Sequence, residues 1–251
     1  MPKVFNTYAR YYDLLYQDKD YLAEATYVDG LIKKFHPQAK SILNLGCGTG
    51  RHDSYFQGMG YLVCGVDLSD EMLVEARKRA IPEKLEFFTG DARNVDLHRK
   101  FDVVVALFHV MSYQTTDDDV LAVFETVKRH LAPGGIFLFD FWHGQGVLND
   151  PPIVRVKRLE DETIKVIRIA EPVHKENQNV VEVNYQILTL DKKTDQWCET
   201  CETHSMQYFF LEELERYLLN SGFSLKGAYE WMSDKPLFFG WYGLVVAGKK
   251  L

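Results

Sequence analysis

The stretch from Ser41 to Gly50, SILNLGCGTG, limits what this chain can fold into more than any other. Ile42, Leu43 and Leu45 read as a strand buried on both faces, as in a parallel sheet covered by helices. Gly46, Gly48 and Gly50 follow at once. Lacking a Cβ, each lets backbone approach a ligand or take positive φ, and a helix starting behind them offers unpaired N–H groups to something polar.

Spacing narrows the ligand. The dinucleotide fingerprint is G-x-G-x-x-G, whereas position 51 is Arg and the third glycine comes one residue early. Asp67 stands twenty-one residues after Gly46, at the end of a second apolar run, where a carboxylate can accept two ribose hydroxyls. Asp91 closes a third strand, so that its side chain and the Ala92 N–H can hold an adenine edge. Ribose chemistry alone serves NAD and S-adenosylmethionine equally; three sites at successive strand ends favour S-adenosylmethionine.

Ile42–Gly50, Val66–Ser69, Gly90–Ala92 and Phe101–Phe108 together resemble the successive motifs of class I S-adenosylmethionine-dependent methyltransferases, over essentially the whole chain. The resemblance implies an α/β, Rossmann-like, doubly wound seven-stranded sheet with an antiparallel last strand. It implies cofactor contacts from Asn44, Gly46, Cys47, Gly48, Asp67, Leu68, Asp91, Ala92 and Phe108; Met72, one turn into the helix after Asp67, suits either a place over the adenine or core filling. One departure matters: the family usually carries Asp or Glu where this chain has Asn44. An amide keeps the hydrogen bond and loses its charge-assisted part, which shifts attention to Tyr12 and Tyr21 at the methionine end. Asn44→Asp is then expected to keep or strengthen cofactor binding.

With 251 residues and 46% hydrophobic content, the chain can bury one large α/β core or a core with an insertion. A net charge of −7 argues against a nucleic-acid partner, which calls for a basic face. No run approaches the ~18 apolar residues of a membrane span, and the start, MPKVF, lacks a signal-peptide core, so the cytoplasm is the expected location. Cys198 and Cys201 form one C-x-x-C pair with His204 nearby, and no second pair completes a zinc set; the expectation is free thiols and no metal.

Around the core, residues 5–21 carry five tyrosines, which suits either a flap over cofactor and substrate or packing of Tyr8, Tyr12 and Leu15 against the core. This segment is similar to the N-terminus of methyltransferases that dimethylate amino sugars, which favours a lid, with Tyr8 against the substrate. The strand 101–108 delivers His109 and Tyr113 to the edge where open α/β sheets bind ligands, and a fifth strand brings Trp142 to the same edge. His109 is the candidate base and Tyr113 an orienting group; the amino-sugar enzymes carry a histidine near Tyr113. Asp117–Asp119 are expected to cap a helix.

From 149 to 207 the pattern alternates, as in an antiparallel sheet. The expected organisation is a core of 1–148 and 208–251, with a lid over 1–36, and a β insertion at 149–207 that roofs the substrate site or contacts a second copy in a homodimer. By period two, Glu202 and His204 share a face with Met206 and Tyr208, which makes His204 a second candidate base and a substrate contact. Arg155, Lys157, Arg158 and Arg168 suit either a diphosphate or an exposed strand face.

The activity implied is methyl transfer to a small polar acceptor. An amine on a nucleotide-linked sugar is favoured, with no nucleic-acid or membrane partner. An O-methyltransferase shares every cofactor residue and differs in needing a base. A catalytically silent S-adenosylmethionine-binding regulator and a nicotinamide enzyme are the rivals from other classes.

Overall fold

In the computed structural model, which describes Tyr12 and residues 14–250, the glycine turn follows a central strand. That strand, β1 (Ser41–Leu45), lies parallel to β2 (Leu62–Asp67) on one side and β4 (Phe101–Ala106) on the other. β3 (Leu85–Thr89) extends the sheet beyond β2, and β5 (Leu131–His143) extends it beyond β4. The last strands, β10 (Phe223–Glu230) and β11 (Tyr242–Lys249), form an antiparallel pair, with β11 antiparallel to β5. The spatial order is therefore 3-2-1-4-5-11-10, and it reverses direction between β1 and β4, where such sheets open a ligand crevice at their carboxyl ends.

Alternation along β1 sends side chains to two cores. Leu43 and Leu45 pack with Phe124 and Val127 of α4 (Asp117–His130) and Leu214 and Leu218 of α6 (Leu211–Asn220). Ile42 packs the other way, with Val28 and Ile32 of α1 (Tyr21–Phe35), Phe56 of α2 (Arg51–Gly58) and Leu73 of α3 (Asp70–Arg77). Asn44, two residues on from Ile42, points to the α2 side by the same period.

Helix starts follow hydroxyl chemistry. Ser69 caps α3 by accepting from the Met72 N–H at 3.2 Å. The cap of α4 is Thr116, not the acidic triplet, which occupies the first turn and favours it through the helix dipole. Ser69→Ala is expected to cost about 1 kcal/mol in chemical denaturation.

A short helix, α5 (Gly144–Asn149), leads into four antiparallel strands: β6 (Arg155–Glu160), β7 (Ile164–Lys175), β8 (Val180–Asp191) and β9 (Gln196–Phe209). Where β4 has ended, the end of β9 takes its place beside β5, Tyr208 and Phe209 pairing with Trp142 and His143. The second sheet is thereby fastened over the carboxyl ends of the first. Two boundaries differ from expectation. β4 stops at Ala106, since Phe108 and His109 both take positive φ, and β5 begins at Leu131, absorbing the Pro133–Gly135 turn into an irregular start. Among the described residues no helix is long and apolar enough to cross a membrane.

Candidate active site

A cavity of about 1280 Å³ lies between the carboxyl ends of β1, β2 and β4 and the antiparallel sheet. Its floor is the glycine turn, where Gly46, Gly48 and Gly50 take φ of 74°, 56° and 72°. A Cβ on Gly46 would stand 2.4 Å from Val110, and one on Gly50 would stand 2.6 Å from Phe87, so packing as well as φ demands glycine there. At Gly48 a Cβ would meet nothing within 4 Å, so its absence leaves open space above the turn for a ligand. Cys47 lines the same wall; burial raises its thiol well above the ordinary range, which keeps it neutral.

Asp67 ends β2 and braces the turn, accepting from the Gly48 N–H at 2.8 Å and the Ser69 N–H at 2.9 Å. Leu68 and Met72 follow it along the cavity, Leu68 exposed and Met72 buried. Asp91 and Ala92 line the next part. The Asp91 carboxylate is already held by Arg93, which reaches it at 2.6 Å and also meets Asp119 at 2.7 Å. Burial pushes Asp91 up, but the Arg93 bonds outweigh it and hold the carboxyl below its usual range.

Asn44 also lines the cavity, and its Nδ2 donates at 2.9 Å to Oδ2 of Asp53, a fully buried residue of α2. Asn44 Oδ1 and Asp53 Oδ1 are buried without a hydrogen-bond partner among the described residues. The Asp53 carboxyl is pushed up to about 7, by burial first and by the Asp67 charge, against the Asn44 and backbone hydrogen bonds that lower it. Asp53 has no signal in the chain's pattern: an acid in the first turn of a helix is ordinarily a dipole partner in solvent.

Phe108 and His109 hold consecutive left-handed conformations, φ 67° and 68°, a strain of about 1–3 kcal/mol each for residues with side chains. Asp140 of β5 secures this turn by accepting from the His109 N–H at 2.9 Å, and its other oxygen sits 3.1 Å from His109 Nδ1, out of line for a hydrogen bond. The His109 ring stacks on Tyr242 at 4.6 Å and lines the cavity rather than continuing along the strand. Trp142 lines the wall nearby, its ring 6.3 Å from that of His109, and its indole N–H finds no acceptor among the described residues.

Tyr113, in the 3₁₀ turn Val110–Tyr113, and His204, on β9, meet across the cavity. The Tyr113 hydroxyl lies 2.8 Å from His204 Nδ1, and His204 Nε2 lies 3.0 Å from Glu202. If Glu202 accepts from Nε2–H, Nδ1 is left to accept the tyrosine proton, which fixes the tautomer. Glu202 and His204 thus face the interior, the side opposite a solvated strand surface. Burial raises the Tyr113 hydroxyl well above its ordinary range.

Tyr12 and Tyr21 line the cavity on the N-terminal side, Tyr12 tilted against Tyr16 at 4.8 Å and Tyr21 edge-on to His52 at 4.9 Å. Leu15 is buried with Met72 of α3 and Ile164, Val166 and Ile187 of the second sheet, so this segment ties the two sheets together. Tyr8 lies outside the described residues. Of the four basic residues, Arg155, Lys157 and Arg168 line the cavity; Arg158 falls on the opposite face of β6 and does not.

The geometry suits a nucleoside with a charged amino-acid tail: a glycine cradle with open space, a carboxylate at the end of β2, and an orphaned carbonyl oxygen at Asn44. Similarity to known proteins agrees. Residues 42–135 match a family described as a methyltransferase domain. The dTDP-3-amino-3,4,6-trideoxy-α-D-glucopyranose N,N-dimethyltransferase of Streptomyces venezuelae is 30% identical over 93% of this chain and 97% of its own. The chain is a class I S-adenosylmethionine-dependent methyltransferase of the amino-sugar type.

The solved structure of Streptomyces venezuelae DesVI superposes on this methyltransferase with a TM-score of 0.79 at 27% identity, covering 97% of this chain and 98% of that one. CalS10 of Micromonospora echinaspora, an amino pentose methyltransferase solved with S-adenosylmethionine bound, gives 0.74 at 25% identity, covering 98% and 97%. The cofactor of the methyltransferase is S-adenosylmethionine, and the cradle, Asp67 and Asn44 are residues present that fit it.

Proposed function

We propose that the protein methylates the amine of a nucleotide-linked amino sugar. The observation that carries this is that one cavity is lined, beyond the cofactor cradle, by Tyr113 and His204, with Glu202 behind the imidazole, and by a cationic wall of Arg155, Lys157 and Arg168. The relative from Streptomyces venezuelae is named for N,N-dimethylation of a dTDP-linked amino sugar, which supports the same acceptor class here.

S-adenosylmethionine supplies a methyl group on a positively charged sulfur. The protein's share is to hold the acceptor nitrogen behind that carbon and to keep water out, a contribution worth many powers of ten in rate. An amine attacks only as the free base, so a proton must leave it. The Tyr113 oxygen accepts that proton while its own passes to His204 Nδ1, and Glu202 stabilises the imidazolium that results. The N–methyl bond forms as the sulfur–methyl bond breaks. A monomethylated amine keeps a nitrogen lone pair, so the same chain serves a second transfer. The cationic side chains of β6 and β7 would meet the diphosphate, Tyr12 and Trp142 would flank the sugar, and the N-terminal segment would act as a lid. His109 is held at the mouth as a second proton acceptor.

Incubation with S-adenosylmethionine and a dTDP-linked 3-amino sugar, beside its 3-hydroxy counterpart, should add first one and then two methyl groups to the amine alone by mass spectrometry. Methylation of the hydroxy sugar only would sink the reading in favour of an O-methyltransferase. Binding of cofactor with no S-adenosylhomocysteine formed from either would favour a silent binder.

A further inference from the structure

Asp53, one layer behind Asn44, is a buried carboxylate that the proposed chemistry leaves unused. Its position is costly: it is 0% exposed, and among the described residues one of its oxygens has no partner and no cation pairs with it. The groups around it add no compensating charge. Asp67 repels it, and the buried thiols of Cys47 and Cys64 stay neutral, both pushed up by burial first and by nearby acids as well. An ionised carboxyl buried in this way is ordinarily destabilising unless a cation arrives.

A carboxylate accepts and never donates, so an ionised Asp53 turns the Asn44 amide nitrogen toward itself and leaves Oδ1 as the free acceptor at the cavity. We propose that Asp53 is the positioning residue for the methionine end of the cofactor. In this arrangement the negative charge expected on β1 is carried one layer back on α2, and Asn44 Oδ1 presents it to the cofactor's ammonium. Asn44 makes the contact, and Asp53 sets the direction and the charge behind it. The single change Asn44→Asp would then put two carboxylates 2.9 Å apart, so the sequence-based expectation that it keeps or strengthens binding is replaced by a different one. The charge has to be moved, not doubled.

The inference rests on S-adenosylmethionine binding and is independent of the acceptor. Titration calorimetry with two ligands tests it: S-adenosylhomocysteine, which carries the amino-acid tail, and 5′-methylthioadenosine, which lacks it. Asp53→Asn and Asp53→Leu should each weaken S-adenosylhomocysteine about tenfold or more, the scale of one charge-assisted hydrogen bond, and leave 5′-methylthioadenosine within about twofold. The double change Asn44→Asp with Asp53→Asn should restore the tight binding of S-adenosylhomocysteine. Equal losses for the two ligands would show Asp53 to be merely structural and overturn the proposal, as would unchanged binding or a double variant that fails to recover. A wild-type protein that bound neither ligand would instead count against the cofactor assignment itself.

Discussion

Tyr113→Phe is expected to lower kcat about a hundredfold while leaving the dissociation constant of S-adenosylhomocysteine unchanged, the lower end of what a positioned proton acceptor contributes. The Tyr113 hydroxyl is held so far toward its protonated form by burial that it cannot rest as a tyrosinate. It can take a proton only by handing its own to His204, 2.8 Å away. His204→Ala should therefore match Tyr113→Phe in kcat, and the double variant should be no slower than either, because the pair works as a unit. Glu202→Gln keeps the shape of the chain and removes the charge that stabilises the imidazolium, so its loss should be smaller than either. Single-turnover methyl transfer with an amino sugar, measured from pH 6 to pH 9, checks all three. Multiplicative losses, or a fall in cofactor affinity equal to the fall in rate, would show that the three residues do not act together on a proton.

The glycine turn and its acids were legible because they are local: a strand, three glycines and acids at fixed offsets lie close along the chain, and Gly46, Gly48, Asp67 and Asp91 all line the one cavity described above. The alternation of residues 149–207 likewise marked antiparallel strands, and the structure has four there. What sequence reasoning missed are partnerships between distant segments. Tyr113 and His204 are ninety-one residues apart, and no pattern says that β9 passes over the end of β4. Asp140 reads as one polar residue in an apolar strand, and only the fold shows it pinning two left-handed residues beside it. Asp53 was hidden for another reason. Helical spacing alone gives an acid near a helix start a solvent partner, and the tertiary packing of α2 against β1 overrides that.

Asp53 should also write its presence into the pH dependence of stability. Its folded value, about 7, lies above the ordinary 3.8, burial being the main cause. Below pH 4 the group is protonated in both states and costs nothing. Between the two values the unfolded chain gives up the proton and the folded chain keeps it, so stability falls as pH rises. Above about pH 7 the full penalty is present and the slope from this group vanishes. Three pH units of such a slope correspond to roughly 4 kcal/mol. In urea denaturation of the ligand-free protein, the stability of Asp53→Asn relative to wild type should climb by about that amount from pH 4 to pH 8 and then level off. Contact differences between the two proteins do not vary with pH, so the change in their difference reports Asp53 together with its coupling to Asp67. A flat difference across that range would mean that Asp53 ionises in the folded protein as readily as in water. Saturating S-adenosylhomocysteine should shrink the wild-type slope, because an ammonium at Asn44 favours the ionised carboxylate behind it. The same group that makes the empty site expensive would then make the filled one tight.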